Sequence, residues 1–482
     1  MFRPPMDAQT PKREIQPIKP TRLLIVGMVG VWLILPRVEA GVTLVSLVSF
    51  NQTNGDFPSA GLVQAKDGNF YGTTTFGGSG SYGTVFQMSP SGTFTNLISF
   101  DGTNGASPHA GLVQGTDGSF YGTTYAGGTN GYGTIFQLTT SGTLTTLVTF
   151  AIGTGGHPIA GLIQGQDGNF YGTTSFGGTN IGGTAFQVMT NGALTTLVSF
   201  NVSGNGGNSP CAGLVQANDG CLYGTTELGG TNGCGTIFKL TTNGTFTSLY
   251  SFTGTNDGAK PYAGLVQGSD GNFYGTTSAG GAYTNQSGLG YGTVFEFATN
   301  GTLTTLVSFG NTNGANPQAG LVQASDGNFY GTTSAGGAYT NQSGFGYGTI
   351  FKLATNGTLT TLVSFNGTNG ASPQAGLVQG VDGNFYGTTA QGGTNGYGTV
   401  FQLSAIVPPP RFKTVTKVGT TLTLTWSATV GQSYQMLYKT NLNQPTWGNL
   451  NNSLTATNPI MTTSDATGPD RQRFYRILLL LP

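Results

Sequence analysis

An all-β fold is predicted: a seven-bladed β-propeller closed by its own N-terminal strand, followed by a small β-sandwich. Three observations predict it. The stretch Asp67-Gly-Asn-Phe-Tyr-Gly-Thr-Thr74 returns, nearly unchanged, from Asp117, Asp167, Asp219, Asp270, Asp326 and Asp382, at spacings of 50, 50, 52, 51, 56 and 56 residues. A period of that length marks one supersecondary unit stacked many times. Each copy carries four short segments of strand character and none of helical period. The last copy stops after its third segment at Leu403, and a matching fourth segment, Val42–Phe50, stands before the first copy. A ring that pairs its N-terminal strand into its last blade has this permutation, and closure leaves no sheet edge exposed to aggregation.

The elements follow in order. Lys12, Arg13, Lys19 and Arg22 precede the apolar run Leu23–Leu35, and Val38-Glu-Ala40 supplies small residues for cleavage. Thirteen apolar residues are short for a membrane span, so residues 1–40 are expected to be a secretory signal peptide, with an uncleaved anchor as the alternative. Within a repeat, Ala110–Gln114 is an apolar strand and Thr116-Asp-Gly118 a tight turn, because Asp-Gly accepts positive φ. Ser119–Thr124 is the second strand, Gly127–Gly131 a loop of breakers, and Tyr132–Leu138 a third, alternating strand. Ser141-Gly142 turns the chain into Thr143–Phe150, rich in β-branched residues. The propeller is expected over 41–403.

Residues 404–411, with Val407-Pro-Pro-Pro410, form a stiff linker. Residues 412–482 lack the repeat. Thr421–Trp426 and Ser433–Tyr438 alternate cleanly, and Trp447 and Arg473–Ile477 continue the pattern. Short strands with one early Trp predict an immunoglobulin- or fibronectin-like sandwich with its Trp and Tyr in the core, closed by Leu478–Leu481 as a buried strand.

Only 7 % of the chain is charged, against about a quarter in an ordinary soluble domain. The 83 glycines are compatible with a folded array because Phe and Tyr recur at fixed phase. The surface must therefore be wetted by Thr, Asn, Ser and Gln. From Gly41 to Leu403 there are 4 Lys/Arg against 12 Asp/Glu; from Ser404 onward there are 7 Lys/Arg and 2 Asp. A negative array excludes nucleic acid, whose phosphates need a basic face. No second long apolar segment follows the leader, so no membrane span is expected in the mature, monomeric chain.

The motif Asp-Gly-Asn-Phe-Tyr-Gly-Thr-Thr, then Gly-Gly, Gly-Thr-Val-Phe-Gln-Leu and Leu-Val-Ser-Phe, resembles the GloVer tandem repeat of exported bacterial "choice-of-anchor" proteins. The likeness covers residues 42–403 and recurs seven times. It implies export and surface display, and no enzymatic activity. The chain departs from the anchored pattern in ending Arg473-Phe-Tyr-Arg-Ile-Leu-Leu-Leu-Leu-Pro482, so an anchoring apolar helix is not expected there.

Chemistry is sparse. His109 and His157 flank prolines, and no Ser-His-Asp set recurs, so no catalytic residue, no cofactor and no enzyme is expected. The aspartates of the Asp-Gly turns read as turn residues; a Ca²⁺ site is the alternative. Cys211, Cys221 and Cys234 all fall in one repeat, where others have ordinary residues; a local disulfide or free buried thiols is expected, and no metal. The strongest asymmetry is an insertion of six residues in two adjacent copies, Ala282–Gly288 and Ala338–Gly344. Insertions on one face mark the binding face of many repeat proteins, although two freshly duplicated blades would look the same. Tyr283, Asn285, Gln286, Tyr291, Tyr339, Asn341, Gln342 and Tyr347 are the candidate ligand-binding residues, aromatic faces beside amides. The expected role is a secreted or cell-surface scaffold for a glycan or another surface protein. A structural matrix protein without a ligand and a polysaccharide-acting enzyme are the alternatives.

Overall fold

Each repeat is organised by its Asp-Gly turn. Gly68 takes φ +84°, and the Asp67 carboxylate accepts from the Asn69 backbone N–H (3.0 Å), the Asn69 amide (3.0 Å) and the Tyr71 hydroxyl (2.8 Å). The turn thereby fixes the register Val63↔Tyr71 and Gln64↔Phe70. Phe70–Thr74 then pairs with Thr84–Met88, and that strand with Phe94–Ser99, across a bulge between Val85 and Phe86. The computed structural model describes residues 31–33, 42–284, 288–404, 410–428, 432–441, 443–466 and 472–480. Among these the regular structure is β throughout, with no α-helix. The chain divides into two units, residues 42–405 and residues 406–482 with the N-terminal 41.

The first unit contains seven four-stranded antiparallel sheets, numbered here one to seven in the order of their Asp-Gly turns. The expected N-terminal strand is Leu44–Ser49. It pairs with Thr399–Leu403 and so supplies the fourth strand of sheet seven. The first strand of each sheet is shorter than alternation predicts: Val113–Gln114 rather than Ala110–Gln114. The reason is that Ala110 makes its bond sideways, its carbonyl accepting from the Thr73 hydroxyl of sheet one at 3.0 Å.

That sideways bond recurs from each sheet to the next and runs from Thr388 of sheet seven to Ala60 of sheet one at 3.0 Å. A second link behaves alike. The Gln114 side-chain oxygen accepts from Lys66 N–H, and Gln64 accepts from Val381 N–H. A third is aromatic: Tyr71 lies 4.1 Å from Phe120, and Tyr386 lies 4.0 Å from Phe70. The exception is Tyr171, whose partner is Leu222. Such ring pairs are worth about 0.5–1.5 kcal/mol each beyond their buried area. The core is correspondingly a set of clusters between neighbouring sheets. One joins Phe70, Phe86 and Met88 to Val48, Phe50, Tyr386 and Val400.

One glycine is dictated by space in every repeat, and a second in some of them. A Cβ on Gly72 would stand 2.6 Å from the Phe86 ring, so the central strand stays bare where that ring covers it. A Cβ on Gly111 would stand 2.7 Å from the Gly61 carbonyl oxygen, and the same neighbour relation continues to Gly61 against Gly376 at 3.6 Å. Buried threonines satisfy one another, as with Thr74 and Thr84 at 2.8 Å; unpaired, each would cost about 1–3 kcal/mol.

In the second unit, Phe412–Val418, Thr421–Ser427 and Ile460–Ala466 form one sheet, and Ser433–Lys439 and Arg473–Leu480 are the centre of another. Their facing side chains share one core of Leu422, Leu424, Trp426, Tyr434, Met436, Tyr475 and Ile477. Asp465, buried there, is held by Arg473 (2.6 Å) and the Tyr475 hydroxyl (2.6 Å). The closing run is not uniformly buried: the strand ends at Leu480 and alternates, so Ile477 is inside while Leu478 is 37 % exposed. Val31–Leu33, from the segment read as a leader, pairs parallel with Arg473–Tyr475. The rest of the leader, and linker residues 405–409, lie outside the described residues.

Two outcomes follow. Burial pushes the Asp67 and Asp167 carboxyls up, but hydrogen bonds from Tyr and Asn outweigh it and hold both below the usual range. Their contribution to stability is present above the unfolded value of about 3.9 and is lost as pH falls through the folded one. Burial, then the bond to Asp, lifts the Tyr71, Tyr121 and Tyr171 phenols to about 12. Their contribution is full below about pH 10 and is lost as pH rises toward 12. A thermal-melt series should therefore plateau between about pH 4 and 10 and fall on both sides. Deleting residues 42–50 should lower the melting midpoint and cause aggregation measurable by light scattering, because it bares the Thr399–Leu403 edge.

Candidate functional site

One of the positions that vary between repeats stands just before each first strand. Each first strand is preceded by Pro-X-Ala-Gly, and X is Ser59, His109, Ile159, Cys211, Tyr262, Gln318 and Gln374 in turn. Around it the proline, alanine and glycine never change. All seven X residues, one from each sheet, line a single cavity of about 180 Å³ together with six of the alanines and six of the glycines that follow them. A rigid, repeated backbone thus carries seven side chains, six of them chemically distinct, into one space.

The backbone that delivers them is strained in the same way seven times. The residue before each proline (Phe57, Ser107, His157, Ser209, Lys260, Asn316, Ser372) has φ between 52° and 56°. Non-glycine residues rarely adopt this region, at a cost of order 1–3 kcal/mol each, and they do so where surroundings over-determine them. Here both backbone groups are held. Ser107 N–H donates to the Tyr82 carbonyl of sheet one (2.8 Å), and its own carbonyl accepts from Tyr125 N–H of sheet two (3.0 Å). Phe57 repeats the link, its N–H donating to Tyr397 of sheet seven.

The cavity has two unlike sides. On one, His109 packs edge-on to Tyr125 at 5.1 Å, and Tyr125 lies over His157 at 4.5 Å. The His157 Nδ1 is 3.0 Å from the Tyr125 carbonyl oxygen, which makes it the donor. Burial lowers the His109 pKa, favouring the neutral ring. On the other side, the Cys211 thiol donates to Glu227 at 3.5 Å, and Lys260 stands 3.9 Å from the same carboxylate. Burial, then the Glu227 charge, pushes the Cys211 thiol up to about 12. Burial, then the neighbouring Cys211 and Glu227, raises the Tyr262 phenol. The Ser59 hydroxyl is bonded to Thr75 at 2.9 Å. Among the described residues no His, Cys, Asp and Glu cluster has the makings of a metal site.

The insertion residues sit elsewhere. Antiparallel pairing puts the loop after each second strand at the same end of its sheet as the start of the first strand, so the insertions share the cavity's end of the unit. They do not line the cavity. Tyr283 and Tyr339 are exposed, at 59 % and 54 %, and each loop adds a second exposed apolar residue, Leu289 or Phe345. Asn285 and Gln286 lie outside the described residues. The Asn341 side-chain oxygen accepts from Ser343 and Phe345 N–H and so shapes its own loop. Gln342 is exposed. Tyr291 is half-buried against the Val294, Phe309 and Phe351 cluster, and Tyr347 is half-buried beside Gly367. Both hold the chain's path, their carbonyls accepting from Asn316 and Ser372. Cys211, His109 and Gln318 align in the sequence as members of one column, but nothing local shows that the seven members of that column converge on one space.

The Gloeobacter/Verrucomicrobia repeat matches residues 36–164, 143–290 and 284–444. No curated protein sequence matches the chain. Similar solved structures include a fungal alcohol oxidase of the AA5 family in complex with copper, 13 % identical over 90 % of this chain and 89 % of that one, TM-score 0.49. The BP39L lectin of Burkholderia pseudomallei is 10 % identical over 79 % and 97 %, TM-score 0.47. The Dos1 propeller is 12 % identical over 75 % and 95 %, TM-score 0.41.

All three cysteines are free, Cys211 buried and Cys221 and Cys234 partly exposed. Thiol titration of the folded protein near pH 8 should label Cys221 and Cys234 first and Cys211 only on unfolding, since the thiolate is the reactive form. Rapid labelling of Cys211 in the native state would contradict the burial described.

Proposed function

The chain belongs to the Gloeobacter/Verrucomicrobia repeat family, and from that premise we propose that it is an exported, non-enzymatic binding scaffold. Seven sheets form a closed seven-bladed β-propeller, the C-terminal residues form a small β-sandwich, and one end of the ring holds an extracellular glycan or protein ligand. One observation carries the reading: on a backbone repeated seven times, the residue aimed into the shared cavity keeps changing. Other columns of the repeat vary as well, but the seven members of this one converge on a single space. A folding requirement would have kept one residue there, as it kept the flanking proline, alanine and glycine.

Supporting observations bear on each part. Closure is favoured by the hydrogen-bond, aromatic and glycine contacts that join sheet seven to sheet one in the same form as every other neighbouring pair. The sandwich is favoured by the single core shared by two sheets. Export rests on the basic-then-apolar N-terminus with its small-residue cleavage pattern. Binding without turnover is favoured because Cys211 is kept protonated and Ser59 is bonded to a threonine rather than to a base. The insertions with Tyr283 and Tyr339 extend the recognised surface at the rim.

The mature monomer, produced from Gly41 and immobilised, should retain a saturable ligand from a panel of glycans and cell-envelope fractions. Deleting 283–288 and 339–344 should weaken retention severalfold and leave the thermal melt unchanged. Absence of any saturable ligand across the panel would refute the scaffold role.

A further inference from the structure

Resting on the scaffold reading, we infer that the cavity ringed by the seven X residues is the ligand pocket itself, and that it takes an uncharged, hydroxyl-bearing ring: one terminal residue of a neutral saccharide.

Size comes first. About 180 Å³ is below the roughly 300–1,000 Å³ of pockets for drug-sized molecules, so a single small ring fits and a longer chain must project from the mouth. Rigidity comes next. The lining backbone is tied on both sides of every X residue by inter-sheet hydrogen bonds, so little ordering cost remains to be met on binding.

The hydrogen-bonding groups point to hydroxyls. Gln318 and Gln374 stand on consecutive sheets. Among the described residues neither amide has a bond to the protein, whereas the glutamines of the first strands are committed, as Gln64 is to Gly68 and Val381. Two adjacent amides offer donors and acceptors together, which matches vicinal hydroxyls that both give and take. The Tyr262 phenol, on the sheet next to that of Gln318, and the His109 ring add polar atoms on aromatic bodies, and the C–H face of a saturated ring packs well against such faces. Ile159 supplies an apolar patch.

Charge selects against the alternatives. No X residue is an acid or a strong base. An anionic ligand would meet Glu227 at the rim of an array with 12 acidic and 4 basic residues. A cationic ligand would find that carboxylate already shared between Lys260 and Cys211. Burying an unpaired charge in such a site is costly, so a neutral ligand is preferred.

The test is calorimetric titration of the full mature chain with neutral mono- and oligosaccharides, alongside the matching uronic acids and amino sugars. One neutral saccharide should bind saturably at one site per chain. The double variant Gln318→Ala with Gln374→Ala should lose at least tenfold in affinity, and Ile159→Trp, which fills the cavity, should abolish binding. Ser59→Trp is a second blocking variant should Ile159→Trp fail to melt cooperatively. Undiminished binding in a folded blocking variant, or tighter binding of the charged sugars, overturns the inference. If the chain retains envelope material but no neutral saccharide, this inference falls and the scaffold reading stands; if it retains nothing, both fall.

Discussion

The approach of neighbouring innermost strands is the constraint on which the rest depends. At Gly111 there is room for a hydrogen and not for a methyl group, because the Gly61 carbonyl is already there. That closeness lets a threonine hydroxyl on one sheet reach an alanine carbonyl on the next, and it brings each Tyr ring over its neighbour's Phe. It also sets the width of the cavity, since the X residue stands two places before the glycine. A larger residue at Gly111 would push its sheet from the preceding one and strain the bonds between them.

The features common to all seven sheets each have a local cause. The Asp-Gly turn, the bare glycine under the Phe86 ring and the paired threonines are the same in every sheet because each answers a local steric or hydrogen-bonding demand. The strained residue before each proline is likewise common to all seven, held by bonds to two sheets at once. In the packed interior variation is confined to apolar residues of different size, as with Met88, Val188 and Phe297, whereas the X column mixes polar and apolar side chains. The X column faces the cavity and the insertions face solvent at the same end, so the surface available for recognition gathers at one end of the unit.

Much of the fold was legible in the sequence. Period-two alternation in Tyr132–Leu138 and the β-branched and aromatic content of Thr143–Phe150 located the third and fourth strands to within two residues. Homology between Val42–Phe50 and the other fourth strands revealed its partner across the whole chain. The first strand was overestimated, because a strand that bonds sideways to its neighbour keeps apolar character without a ladder. The site was less legible. Tyr283 and Tyr339 stood out as inserted residues and are exposed as such. Tyr291 and Tyr347 are instead bracing residues, a distinction that only their burial against the core makes visible.

What the sequence determined by itself is the local content: the repeat, its four strands, its turns, and the permutation that leaves one strand at the far end of the chain. These follow from φ preference, alternation and spacing, all of which act over a few residues. Only the tertiary structure decided what the seven X residues do. Ser59 and Gln374 are separated by over three hundred positions, and nothing local relates them. They meet because seven sheets stand side by side, joined by the same inter-sheet bonds, and turn one varying column of the repeat toward a common space.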